Sequence, residues 1–201
     1  MYKLIGLPAT RAFRIIWMME ELGLRYEIDP VAPHTDEARA FNPSGKIPML
    51  QVGDDILLDS VAICQFLADR HSKLTFVAGS VERGKQDGWT QFAVDDVEST
   101  LWYSAKHSFV LPEELRSKTV LKACRYDFDR AMTAFEKRLG DNEFVMGDTF
   151  TVPDILFGHL AGWAMVNAKW DIPKGKVSEY FSRVRSRPAF ERAMATRKKF
   201  D

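Results

Sequence analysis

The stretch Gly45–Ser60, GKIPMLQVGDDILLDS, constrains this chain more than any other. Two apolar runs, KIPMLQV and DILLD, flank Gly53-Asp54-Asp55, which reads as a hairpin closed by a three-residue turn. Pro48 stands at the mouth of the first run. A proline cannot donate to a sheet ladder, so it belongs at an edge, a bulge or a bend. A cis Ile47–Pro48 bond suits such a bend and turns the Ile47 N–H and C=O outward, where an extended peptide can add as a strand. A trans proline that merely ends a loop is the plainer alternative. At the far end, Asp59-Ser60 opens the helical run SVAICQFLADRH. Free N–H groups and the helix dipole there favour a carboxylate. Ser60 adds a hydroxyl donor and Asp59 an acceptor for an ammonium group, so the pair can hold an amino-acid head or simply cap the helix.

The surroundings read as alternating elements. YKLIGL is a strand ending at Pro8, and apolar residues from Ala12 to Leu22 recur at helical spacing up to Gly23. RYEIDPV is a second strand and TDEARAF a short helix, giving the order β-α-β-α-β-β-α. After His71 the chain turns polar, then helical in pattern throughout. The expected division is an α/β domain over 1–77, a connector over 78–84 and an all-α helical domain over 85–201. Within the last, Phe150-Thr151-Val152-Pro153-Asp154-Ile155 carries a helix start. Thr151 stands at the N-cap, Asp154 at the reciprocal position, and Phe150 and Ile155 at the staple positions. The following ILFGHLAGWAM is apolar nearly all round and belongs in a core, which makes Asp154 structural rather than catalytic.

Several chemistries are disfavoured. Lys plus Arg and Asp plus Glu both number 28, a net charge of zero, which argues against nucleic acid or an anionic membrane as the main partner. Cys64 and Cys124 lie far apart, and His34, His71, His107 and His159 share no ligand spacing, so no metal is expected. GSVERGK resembles a phosphate-binding loop, but Gln86 stands where magnesium binding needs Ser or Thr. No Gly-x-Ser-x-Gly elbow is present. The basic tail FSRVRSRPAFERAMATRKKF reads as a solvated helix face. No apolar run approaches ~18 residues and no signal sequence is visible, so a soluble, cytoplasmic protein is expected.

Along nearly its full length the chain resembles a cytosolic glutathione S-transferase. The resemblance is carried by FNPSGKIPML, LLDSVAICQFLADRH, FTVPDI and RSRPAFERA. It implies a thioredoxin-like N-terminal domain, an all-helical C-terminal domain, and glutathione as co-substrate without a metal. It further implies that Pro48 is cis and that the Ile47 backbone pairs with the cysteinyl unit of glutathione. Ser60 and Asp59 then hold the γ-glutamyl end, with Asp59 where family members usually carry the longer glutamate. Lys46 and His34 fall where side chains meet the glycyl carboxylate. Family members are usually homodimers, and Asp95 is placed to reach the partner's glutathione.

The thiol's activator is sought at Pro8-Ala9-Thr10-Arg11, where the family places serine, cysteine or tyrosine. No cysteine is there, which argues against the glutathionylating classes. Thr10 is the nearest hydroxyl and Arg11 the alternative by charge. Thr10 is also a natural N-cap, its oxygen accepting from the backbone while its proton points at the thiolate. A thiol of pKa near 8.5 is only about 3% ionised at neutral pH. Lowering that pKa by ~2 units raises the thiolate ~25-fold, yet lost nucleophilicity costs ~8-fold, leaving about threefold. Acceleration must therefore come mainly from holding the electrophile beside the sulfur. Trp102, Tyr103 and His107 are candidates to line that electrophile pocket, or are core or dimer contacts. The expected function is conjugation of glutathione to a hydrophobic electrophile. The alternatives are a glutathione-dependent peroxidase, disulfide reductase or isomerase, and a non-enzymatic binding or regulatory protein.

Overall fold

The computed structural model describes residues 1–200, which form two compact units: Met1–Val77 together with the chain from Arg185 onward, and Ala78–Val184. The first unit is built on a four-stranded sheet of β1 (Tyr2–Ile5), β2 (Tyr26–Asp29), β3 (Met49–Val52) and β4 (Asp55–Leu58), in the spatial order β2-β1-β3-β4. β1 runs parallel to β2, and the other pairings are antiparallel. The helices α1 (Ala12–Leu22), α2 (Asp36–Phe41) and α3 (Ser60–His71) complete the β-α-β-α-β-β-α order. α1 is a core helix, with every residue from Ala12 to Met19 buried. It ends at Gly23, whose φ of +66° lets the Leu24 N–H reach back to the Met19 carbonyl at 3.0 Å. The hairpin is tighter than expected. Val52 pairs with Asp55, so only Gly53 and Asp54 lie in the turn, with Gly53 at φ +65° supplying the left-handed step.

The second unit is helical: α4 (Val81–Phe92), α5 (Ser99–Ala105), α6 (Lys118–Leu139), α7 (Val152–Gly162) and α8 (Lys176–Arg185). π-helical turns at Ala93–Glu98 and Lys106–Val110 flank α5, and a third, Trp163–Ala168, prolongs α7. Its core is aromatic. Trp89 meets Phe135 and Phe157 edge-on at 5.7 and 5.8 Å, and Phe135 stacks on Phe181 at 5.6 Å. α7 is buried all round from Val152 to Gly158, as its composition predicts.

At the head of α7, Asp154 is fully buried and ties three segments together. It accepts the Thr151 N–H at 2.9 Å, the Thr151 hydroxyl at 3.2 Å, the Val145 N–H at 3.1 Å and the Tyr180 hydroxyl at 2.7 Å. Burial pushes its carboxyl up to about 6 against the pull of these donors.

The limits of the units differ from the expected division at two places. Ser80 caps α4 by accepting the Arg83 N–H at 3.1 Å, so residues 81–84 of the expected connector form the helix's first turn. The terminal helix α9 (Pro188–Arg197) belongs to the α/β unit, not the helical one. Phe190 packs on Phe13 and Trp17 with ring centroids at 5.6 and 4.8 Å. Arg187 forks onto Glu21 at 2.7 and 2.8 Å, and Arg192 reaches Glu20 at 2.9 Å. These charges answer acids on α1, so the tail is more than a solvated face. Pro188 begins this helix, where its missing N–H has no intrahelical acceptor to lose.

Candidate functional site

Three chain crossings meet at one end of the sheet of the α/β unit. Ile5 pairs with Met49 and Met49 with Leu58, so Gly6, Pro48 and Asp59 are the next residues out on β1, β3 and β4. The Ile47–Pro48 peptide is cis. Gly6, at φ +142°, lies against it so closely that a β-carbon there would stand 3.1 Å from Ile47 Cβ. Ile47 packs its side chain on a small apolar cluster of Ile5, Val31, Ala38 and Met49, which anchors the residue and leaves its backbone beyond the end of both ladders.

Asp59 has φ +70° and ψ 125°, a conformation that a residue with a β-carbon adopts at a cost of roughly 1–3 kcal/mol. Its Oδ1 accepts the N–H of Val61 at 2.8 Å and of Ala62 at 3.2 Å, and the residue is exposed. Ser60 beside it is buried, and its Oγ accepts from Arg14 Nη1 of α1 at 3.2 Å. Arg14 is itself 1% exposed. One turn further on, Cys64 is also buried. Burial pushes its thiol up to about 12, with the Arg14 cation pulling the other way, so this cysteine is not a nucleophile at neutral pH.

The loop after Gly6 carries Thr10 and Arg11, both half-buried. The Thr10 hydroxyl accepts the Ala12 N–H at 3.2 Å, in the manner of a cap, and donates its own proton to the Leu7 carbonyl at 2.7 Å. On the other flank, the His34 N–H donates to the Gly45 carbonyl at 2.7 Å, which sets the exposed His34 beside the segment that carries the exposed Lys46.

Residues 10–70 match the family model described as glutathione S-transferase, N-terminal domain, and residues 101–188 match the corresponding C-terminal domain model. The chain belongs to the glutathione S-transferase family. Glutathione S-transferase 3 of Zea mays is 25% identical, over 96% of this chain and 93% of that protein. Elongation factor 1-gamma of Prunus avium is 24% identical, but the match takes in 75% of this chain and only 37% of that longer protein. Among solved structures, a Phanerochaete chrysosporium glutathione transferase in complex with oxidized glutathione shares the fold at a TM-score of 0.83. It is 23% identical, with 100% of this chain and 97% of that one covered.

As a glutathione S-transferase family member, the chain gathers Ile47, Pro48, Asp59 and Ser60 at one end of one sheet, with Gly6 and the Thr10 loop adjoining. Gly6 and Arg14 are the residues that sequence reasoning missed. Arg14 sits inside the apolar periodicity of α1, and an ionisable residue on a buried helix face was the available signal. The Thr10 proton goes to Leu7 rather than outward, contrary to the expected dual role.

The helical unit carries the remaining candidates. Trp102 meets Trp163 edge-on at 6.5 Å, and Trp163 meets His159 at 6.3 Å. Tyr103 is exposed beneath the Lys106 ammonium at 4.7 Å. His107 Nδ1 accepts the N–H of Ser117, the cap of α6, which gives it a structural task. Asp95 lies exposed on the first π-helical turn, its carbonyl taking the Ser99 hydroxyl proton. Among the described residues no three His, Cys, Asp or Glu side chains come together as a metal site, and no helix is long and apolar enough to cross a membrane.

Proposed function

We propose that this chain is a glutathione transferase, holding glutathione on its α/β unit and joining the glutathione sulfur to a hydrophobic electrophile. The observation that carries the reading is the convergence of cis-Pro48 with the Asp59-Ser60 head of α3 at one end of the sheet. The Ile47 backbone would pair with the cysteinyl unit as an added strand. The γ-glutamyl carboxylate would take the Ser60 hydroxyl, and its ammonium the exposed Asp59 carboxylate. Lys46, with His34 beside it, would meet the glycyl carboxylate. The thiol then lies toward Thr10 and Arg11. It loses its proton to solvent, a sulfur–carbon bond forms at the electrophile, and the leaving group departs with its bonding electrons. Trp102, Tyr103 and His107 are proposed as the electrophile's surface. The working form is proposed as a cytoplasmic homodimer with Asp95 at the partner's site, acting in detoxification.

The activation of the thiol falls chiefly to Arg11, because the Thr10 proton is already held by the Leu7 carbonyl. That same bond favours a second reading, a glutathione-transferase-like binding module without catalysis, and the partial likeness to elongation factor 1-gamma supports it. Retention on immobilised glutathione, followed by conjugation to an activated aryl halide, separates the two. Retention with conjugation is expected. Retention without it supports the binding module, unless hydroperoxide reduction appears, which indicates a peroxidase on the same site. Failure to be retained overturns the proposal.

A further inference from the structure

We infer that Arg14 is the positioning residue for the carboxylate of the γ-glutamyl group, acting through Ser60 from behind the site. The inference rests on the proposed glutathione site and extends it to a residue buried within the unit.

Arg14 is 1% exposed and Ser60 3% exposed, and Nη1 lies 3.2 Å from Oγ. A guanidinium has donors only, so the serine oxygen is the acceptor in this bond. A serine hydroxyl has one proton to give and lone pairs to receive. With an arginine N–H on a lone pair, the hydroxyl proton must point elsewhere, and the oxygen is fixed in place while it does so. Asp59 takes the N–H groups of Val61 and Ala62, the second and third of α3, and Ser60 heads the helix in front of them. The arrangement polarises the hydroxyl as a donor at the position where the carboxylate is proposed to sit.

The alternative is that Arg14 serves only to tie α1 to α3. Buried arginines do hold helices together, and α1 and α3 are packed elements of the same unit. The two roles separate by ligand. A purely structural residue affects every glutathione-like peptide alike, whereas a positioning residue discriminates by the carboxylate it serves. The probes are S-methylglutathione and its analogue in which 4-aminobutanoyl replaces the γ-glutamyl group. That analogue keeps the amine, the cysteinyl unit and the glycyl carboxylate and lacks only the α-carboxylate. The S-methyl groups prevent turnover during titration calorimetry.

Wild type is expected to prefer S-methylglutathione by about tenfold or more, the size of a hydrogen bond to a charged group. Arg14→Met and Ser60→Ala are each expected to remove most of that preference while binding the analogue within about twofold of wild type. Arg14→Lys, which keeps a cationic donor without the planar fork, is expected to restore part of it. In the Ser60→Ala background, Arg14→Lys is expected to add no further loss, because the two residues act through one hydroxyl. Should Arg14→Met not fold, the Arg14→Lys and Ser60→Ala pair closes the same cycle. Equal loss on both peptides overturns the inference while the proposed glutathione site stands. Wild type that binds neither peptide overturns both.

Discussion

At the starts of α3 and α7 an aspartate side chain accepts backbone N–H groups, and the two are put to opposite uses. At the head of α7, Asp154 is buried and surrounded by four donors from Val145, Thr151 and Tyr180. At the head of α3, Asp59 is exposed, holds two backbone amides through one oxygen and sits in a backbone conformation that costs energy. An acid whose capacity is filled by the protein is a fastener. An acid held in strain with its carboxylate open to solvent suits the ligand-holding role proposed for Asp59, since strain persists where the surrounding structure enforces it and clusters at functional sites.

The comparison predicts different failures. Asp154→Ala should have the largest effect, because it strands two buried N–H groups and two hydroxyls at roughly 1–3 kcal/mol each, less what relaxation recovers. A loss of about 4 kcal/mol or more is expected in urea unfolding, with ligand binding unchanged in whatever remains folded. A loss under ~1 kcal/mol would contradict the fastener role.

A pH series sharpens the same point. Burial raises the Asp154 carboxyl from its ordinary 3.8 to about 6. A group whose folded pKa is raised contributes stability that is full below the unfolded value and is lost as pH rises through the folded one. Wild type should therefore lose about 2 kcal/mol relative to Asp154→Asn between pH 4 and 6, out of about 3 kcal/mol over the full titration, at no more than ~1.4 kcal/mol per pH unit. A difference curve that is flat, or that rises, over this window would show that the four donors outweigh burial.

Asp59→Gly probes the other helix. Glycine tolerates φ +70° without a β-carbon, so relief of strain should offset the lost cap and leave stability within about 1 kcal/mol. Glutathione affinity should fall about tenfold as the ammonium loses its partner. If stability falls by 2 kcal/mol or more and affinity does not, Asp59 is a cap like any other.

The contrast was only half visible in the sequence. FTVPDI spelled out the α7 start because capping is local chemistry over six residues, and the apolar run after it fixed the burial of Asp154. LLDS was legible as a helix head, but its φ and the buried Arg14 behind it were not, since both follow from packing between α1 and α3. The order of elements in the first 77 residues followed from periodicity and turn residues. The sequence pattern groups the terminal helix α9 with the helical region, whereas the fold packs it in the α/β unit, and the difference has a physical reason. Its apolar positions show that it must pack on something, and only the fold shows that Phe13 and Trp17 are what it covers.

Thr10 shows how one proton separates legible chemistry from observed chemistry, and its substitution should have the smallest effect on ligand chemistry. The residue type and place suggest a donor to the thiolate, yet the structure gives the proton to Leu7 at 2.7 Å and the lone pair to the Ala12 N–H. To reach a thiolate, the hydroxyl must leave a bond worth about 1 kcal/mol and gain one to a sulfur, a weak acceptor, worth about 1.5 kcal/mol at the low end for charged partners, so most of the gain is cancelled. Thr10→Val should therefore raise the pKa of bound glutathione by less than about 0.5 unit, read from thiolate absorbance, while costing about 1 kcal/mol of stability through the lost cap. Arg11→Met should raise the same pKa more, by roughly 0.7 unit, since a unit charge about 4 Å away contributes about 1 kcal/mol even in water. A full unit's rise in Thr10→Val with none in Arg11→Met would reverse the order, and would mean that ligand binding turns the Thr10 hydroxyl away from Leu7.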